Sequence, residues 1–187
     1  MRPAAERILR ELGVPKIQQL LIHWPNHFEK VKGASLWPKD AEGKHLYDLE
    51  ADYRDTWREL EKLVDEGLVE TIGLSNFNEQ EVEDILAIAK IKPVVNQVEA
   101  HPYLPQHKLK TFLDSKGIAL CAYSPLSNLD PNDPSKPSAL RDEAILSIAK
   151  KHGKTPAQVI IRWHIQKGHV VIPKTVTLSR CVFYCMA

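Results

Sequence analysis

Residues 65–98 read DEGLVETIGLSNFNEQEVEDILAIAKIKPVVNQV, and their pattern decides the fold class. Gly67 stops a preceding helix. Thr71–Leu74 is a short apolar run with turn residues after it, which reads as a buried strand. Asn78, with Glu81 three positions on, matches the reciprocal arrangement that caps a helix N-terminus. Val82, Ile85, Leu86 and Ala89 then share one helical face. Pro93 precedes a second strand, Val94–Val98. The two strands start about 24 residues apart with a helix between them, the length of a right-handed crossover between parallel strands rather than a hairpin.

The alternation continues in both directions. C-terminally it predicts a helix over Pro105–Lys116, a strand over Ile118–Ala122 and a Pro-rich loop over Pro125–Pro137. A helix bearing Leu140, Ile145, Ile148 and Ala149 follows, and another opens at Thr155 and Pro156. A last strand covers Val170–Ile172. N-terminally, Tyr53, Trp57, Leu60 and Val64 mark a helix over Asp52–Glu66, preceded by a long loop from Asn26 to about Asp48. Before that loop lies a strand, Leu20–Trp24, and an opening helix with Pro3 in its first turn and Gly13 at its end. Near-continuous apolar strands belong to a parallel sheet covered on both faces. That leaves a doubly wound open sheet or a (β/α)8 barrel. No G-x-G-x-x-G follows any strand, which weakens the first. A barrel is expected, with its working residues where strands end.

The totals exclude several classes. The 25 basic residues nearly cancel the 24 acidic ones, so no electrostatic argument favours nucleic acid or an anionic membrane as partner. No apolar run approaches the roughly 18 residues of a membrane span, and the charged opening segment is unlike a signal peptide. Cys121, Cys181 and Cys185 are too few for a disulfide framework and suit a reducing compartment, so a cytoplasmic location is expected. Cys181 and Cys185 have no neighbouring ligand types in sequence, and no metal site is expected.

Polar residues gather at the ends of otherwise apolar strands: His23, then Ser75 and Asn76, Gln97, Tyr123 and Ser124, and finally Lys174 and Thr175. Each has a plain reading by itself. His23 could be a satisfied core histidine, and Ser75-Asn76 could serve helix capping. Five strands delivering such groups to one rim argue for a site.

These residues carry a resemblance. LIHWP, DEGLVETIGLSNFN, NQVEAHPYL, SKGIALCAYSPL and VIPKTVT resemble the successive motifs of the aldo-keto reductase family in order and spacing, from about Leu9 to Arg180. The likeness implies an α/β fold, a partial (β/α)8 TIM-type barrel in which this chain supplies about five of eight βα units, the fourth to eighth strands. It implies NADPH/NADP+ as cofactor and reduction of a small-molecule aldehyde or ketone to an alcohol. His23 matches the active-site, catalytic histidine that orients the substrate carbonyl, and Trp24 an aromatic wall of the substrate pocket, with core packing as its plain alternative. Ser75, Asn76 and Gln97 match the side chains that hold the nicotinamide carboxamide, and Tyr123 the ring stacked on the nicotinamide. Ser124 and Leu126 match a loop over the pyrophosphate. Lys174, Thr175 and Arg180 match contacts to the adenosine 2′-phosphate, against a plain reading of Lys174 and Arg180 as solvated surface charges.

The sequence also departs from the family. Residues 1–180 form the expected barrel portion, and 181–187 a divergent tail in place of a final helix. The three earlier strands, with the aspartate, tyrosine and lysine of the family's catalytic tetrad, have no counterpart here, and Tyr47 and Tyr53 do not fill the tyrosine's place. Gln18 and Gln19 stand where an aspartate and an apolar or aromatic residue are usual. The chain therefore reads as truncated at both ends and a poor catalyst by itself. A non-catalytic NADP-binding remnant or an interaction fragment is the competing reading. Five strands cannot close an eight-stranded barrel, so self-association through open sheet edges is expected.

Overall fold

In the computed structural model, residues 1–31, 37–127 and 138–185 are described. The Pro-rich segment beyond Ser127, up to Pro137, and the last two residues lie outside them. The chain divides into two compact units, residues 1–95 and 96–187.

The first unit begins with α1 (Arg2–Leu12), which has proline in its first turn and Gly13 as a left-handed C-cap. It pairs β1 (Ile17–Ile22) in parallel with β2 (Val69–Ser75), in the register Ile17↔Val69 to Ile22↔Leu74. The helix between them, α2 (Tyr53–Asp65), is capped by Asp52 and buries Trp57, Leu60, Glu61 and Leu63. The helix after β2, α3 (Glu79–Ile88), carries the Asn78/Glu81 capping box anticipated from sequence. Gly73 is required by close approach. A Cβ there would lie 2.7 Å from Val95 Cγ1, 2.8 Å from Leu21 Cδ2 and 2.9 Å from the Val95 carbonyl oxygen.

β3 (Val95–Glu99) leads into the second unit, with α4 (His107–Ser115) and β4 (Ala119–Tyr123) following. A 3-10 turn at Ala139–Arg141 precedes α5 (Glu143–His152) and α6 (Pro156–Gln166), the latter opened by a Thr155/Gln158 capping box. β5 (Val170–Val171) pairs in parallel with β4 through Cys121↔Val170 and Ala122↔Val171. Strand order in the sheet is β1-β2-β3-β4-β5, the succession that right-handed crossovers produce.

Most element boundaries differ from expectation by one or two residues, and the strand before the long loop by more. β1 starts at Ile17 and ends before His23, because Gln18 and Gln19 take part in the strand with both side chains exposed. Their polarity hid the strand's beginning. Residues Leu178–Cys185 form a helix, α7, for which no element was read from the sequence. Neither Pro nor Gly interrupts that stretch, so nothing stops the helix that starts after Thr177. Among the described residues no helix is long and apolar enough to cross a membrane.

Candidate functional site

His23, Asn76 and Ser124 directly follow β1, β2 and β4, Ser75 and Tyr123 are the last residues of β2 and β4, Gln97 lies within β3, and Arg180 lies on the helix Leu178–Cys185. In the first unit His23 follows β1 directly, and its ring is exposed. Its ring centroid lies 6.0 Å from Trp24 and 5.9 Å from Trp37, the latter edge-on. Trp24 and Trp37 meet edge-to-face at 6.4 Å. Trp24 is 37% exposed. At the end of β2, Ser75 is buried and Asn76 adopts φ 62°, a left-handed conformation that asparagine tolerates better than most residues. That conformation turns the Asn76 side chain back across β1. Its Nδ2 donates to the His23 carbonyl oxygen at 2.9 Å and lies 3.2 Å from Ser75 Oγ.

The aromatic groups beside His23 come mostly from the loop after β1. Bridges Phe28↔Tyr47 and Lys39↔His45 fold that loop onto itself as a small antiparallel excursion. Phe28 lies 4.9 Å from Trp37 and 5.1 Å from Tyr47. His27 Nε2 lies 3.0 Å from Thr56 Oγ1, which ties the loop to α2. The resulting cleft, about 370 Å3, is lined by Leu21, His23, Trp24, Phe28 and Trp37 among others. Phe28, Trp37 and Tyr47 were not among the expected site residues. The signal was available: three aromatic side chains in a segment otherwise rich in Gly, Lys and Pro.

In the second unit, Gln97 is half-buried on β3 and hydrogen-bonds Cys121 on β4. Burial pushes the Cys121 thiol up, and the bond to Gln97 offsets part of that. Tyr123 ends β4. Burial, reinforced by the negative charge of Glu99, raises its phenol, and a hydrogen bond with the Glu99 backbone works the other way. Ser124 follows at φ 46°, a strained conformation for a residue with a Cβ. A tight turn joins Ser124 to Ser127, whose N–H donates to the Ser124 carbonyl at 3.0 Å. Leu126 lies in that turn. Beyond β5, Lys174 is exposed and Thr175 Oγ1 accepts from the Thr177 N–H at 3.1 Å. Arg180 lies on α7 and is exposed. Among the described residues neither Lys174 nor Arg180 has a carboxylate partner.

Comparison with known proteins decides what these strand ends belong to. A family model described as the aldo/keto reductase family matches residues 1–181. The chain belongs to the aldo/keto reductase family. It is 50% identical to aldo-keto reductase family 1 member A1-A of Danio rerio over 179 residues, covering 95% of this chain and 54% of that protein. The human aldo-keto reductase family 1 member A1 is 41% identical over 182 residues, covering 96% and 55%. Among solved structures, an aldose reductase from Schistosoma japonicum superposes with a TM-score of 0.87 at 40% identity, covering 98% of this chain and 56% of that one. This aldo/keto reductase chain thus spans about half the length of the curated relatives it matches. The likeness to an aldose reductase supports the βα reading of the strands as part of a TIM-type barrel.

Proposed function

We propose that this chain carries the carbonyl-orienting and nucleotide-holding part of an NADPH-dependent reductase of aldehydes and ketones. The observation that carries the reading is the hydrogen bond from Asn76 Nδ2 to the His23 carbonyl oxygen. It links a residue matched to nicotinamide binding with the residue matched to carbonyl orientation, in one unit and at adjacent strand ends.

The side chains fit the chemistry. A carboxamide needs both donors and acceptors, which Ser75 and Asn76 offer in the first unit, while Gln97 in the second carries the same amide chemistry. Tyr123 presents a half-buried ring suited to stacking. Ser124 and Leu126 border the strained turn that would lie over the pyrophosphate. Lys174 and Arg180, without carboxylate partners among the described residues, suit a 2′-phosphate, which favours NADP over NAD, with Thr175 adding a hydroxyl beside them. When bound, the reduced nicotinamide supplies the hydride. His23 offers a ring N–H to the carbonyl oxygen and so polarises and orients it. Trp24, Trp37 and Phe28 offer an apolar wall beside that oxygen and favour a carbonyl compound with an apolar body.

The family's tetrad tyrosine is the general acid, and residues 1–187 hold no counterpart of it or of its aspartate and lysine. His23 is then the only group matched to the tetrad, and proton donation from it alone is slow. The 187-residue chain by itself is therefore expected to bind NADPH and turn over weakly. The test is a fluorescence titration with NADPH, followed by its oxidation with a panel of aldehydes, in wild type and His23→Ala. Binding with little turnover supports the reading. Steady turnover abolished in His23→Ala overturns the expectation of weak catalysis, and absence of both binding and turnover favours an interaction fragment. A cytoplasmic location belongs to the same proposal, since three cysteines are too few for a disulfide framework. β1 stands at one end of the strand order, and self-association through that edge belongs to the same proposal, which sedimentation velocity of the purified chain would show as species larger than monomer.

A further inference from the structure

His164 and His169 form a buried pair that no strand-end motif includes. The inner face of α6 carries Gln158, Ile161 and His164, three residues apart along one side. After Lys167 the chain turns back through Gly168 at φ 70°. The His169 N–H then reaches the His164 carbonyl at 3.0 Å, and the Gly168 N–H the Ile165 carbonyl at 3.0 Å. That helix-ending turn folds His169 over the last turn of α6. The two imidazoles meet with their Nδ1 atoms 3.0 Å apart, at 0% exposure for His164 and 7% for His169. On its other side, His164 Nε2 lies 3.3 Å from the Pro125 carbonyl oxygen.

One proton arrangement satisfies this chain of groups. A carbonyl oxygen only accepts, so His164 Nε2 carries a hydrogen. In an uncharged ring its Nδ1 is then a bare acceptor, and His169 Nδ1 must carry the hydrogen between the two rings. His169 thus donates to His164, and His164 donates to Pro125. Burial pushes both imidazoles below their ordinary value, which keeps the rings uncharged at neutral pH. His101 faces His164 and lowers it further. His107 and Lys110 add to the lowering of His169, and Asp114 opposes it. Pro125 is the second residue of the Ser124–Ser127 turn, and Ser124 is the strained residue that begins it.

We propose that His164, oriented by His169, is a positioning residue that holds the Ser124–Ser127 turn and through it sets affinity for the pyrophosphate of the dinucleotide. The nucleotide half of this inference rests on the function proposed above. The turn half stands on the geometry alone, and the two are separable by experiment.

The test uses the full chain and two substitutions that divide the imidazole's two contacts. In His164→Asn the amide occupies the Nδ1 position and keeps a partner for His169, but falls short of Pro125. In His164→Gln the amide reaches the Nε2 position and retains a donor for Pro125. Amide hydrogen exchange at Ser127 is measured without nucleotide, and the NADPH Kd by fluorescence titration, with circular dichroism melts to confirm folding. In His164→Asn, Ser127 exchange is expected to rise and the Kd to weaken, each by about five- to tenfold, the worth of one hydrogen bond. His164→Gln should stay within about twofold of wild type in both. Unchanged Ser127 exchange in His164→Asn, or equal loss in both variants, overturns the positioning role. Faster exchange with an unchanged Kd overturns the link to the nucleotide. If wild type itself binds no NADPH, the functional reading fails and the nucleotide half falls with it, while Ser127 exchange still decides the turn.

Discussion

Acid should destabilise this protein through His169, and the size of the effect follows from where the ring sits. His169 is 7% exposed, and burial, followed by the neighbouring His164, lowers it from 6.5 to about 4. Between those values the unfolded chain binds a proton that the folded chain refuses. Stability is therefore complete above pH 6.5, falls as pH drops below it, and stops falling near pH 4, where the folded ring also protonates. The gap of about 2.5 pH units, at about 1.4 kcal/mol each, bounds the loss at about 3 kcal/mol. At pH 5 the same linkage gives about 2 kcal/mol. His169→Asn isolates this contribution, because its amide still donates toward His164 Nδ1 but does not titrate. The assay is urea unfolding of wild type and variant at pH 7.5 and pH 5.0. Carboxylates and the histidines outside the pair titrate in both proteins and cancel in the comparison, whereas His164, coupled to His169, makes the difference a property of the pair. Wild type should lose about 2 kcal/mol more than His169→Asn on acidification. Equal losses would show that His169 is not held uncharged by its surroundings and refute the reasoning.

Three further outcomes are expected. Gly73→Ala pushes a methyl against the Val95 carbonyl and the Leu21 side chain at under 3 Å, so it should cost about 2–3 kcal/mol in chemical denaturation; a neutral result would mean that β2 moves freely there. Glu61 is buried, and its Oε1 accepts from the Lys90 and Ile91 N–H groups at 2.7 and 2.9 Å. Glu61→Ala should therefore cost about 2 kcal/mol and Glu61→Gln, which keeps the acceptor, under about 1 kcal/mol, with thermal melts as the check. Replacing Lys174 and Arg180 together by Ala should weaken NADPH binding by about 10-fold or more, since each loses a charge-assisted contact, while NADH titrated in parallel changes little; equal weakening for both nucleotides would remove these residues from the 2′-phosphate.

Much of the fold was legible because its signals are local. The Asn78/Glu81 pair and the Thr155-Pro156 opening mark helix starts through their own side chains. The apolar runs mark strands by composition, and the turn residues after them mark where a site can form. The order of strands then follows from chain connectivity, since short right-handed crossovers leave few alternatives. The strand start at Ile17 was hidden by Gln18 and Gln19, whose place in the sheet is decided by pairing with β2 and not by their own preferences. The helix over Leu178–Cys185 carries no capping or stop signal of its own in sequence, although neither Pro nor Gly breaks that stretch.

The candidate site divides in the same way. Sequence by itself determined which residue types stand at which strand ends, from His23 to Lys174, because position along a strand is a one-dimensional property. Only the tertiary structure decided which groups touch. It set Phe28 and Trp37 beside His23 in one cleft, with Tyr47 packed behind on Phe28, through loop bridges that no short-range pattern encodes. It turned Asn76 through a left-handed backbone onto the His23 carbonyl. It also set His164 against both His169 and Pro125, the latter 39 residues away along the chain. Hydrogen bonds act over about 3 Å whatever the sequence separation, so contacts of this kind become visible only once the chain has folded.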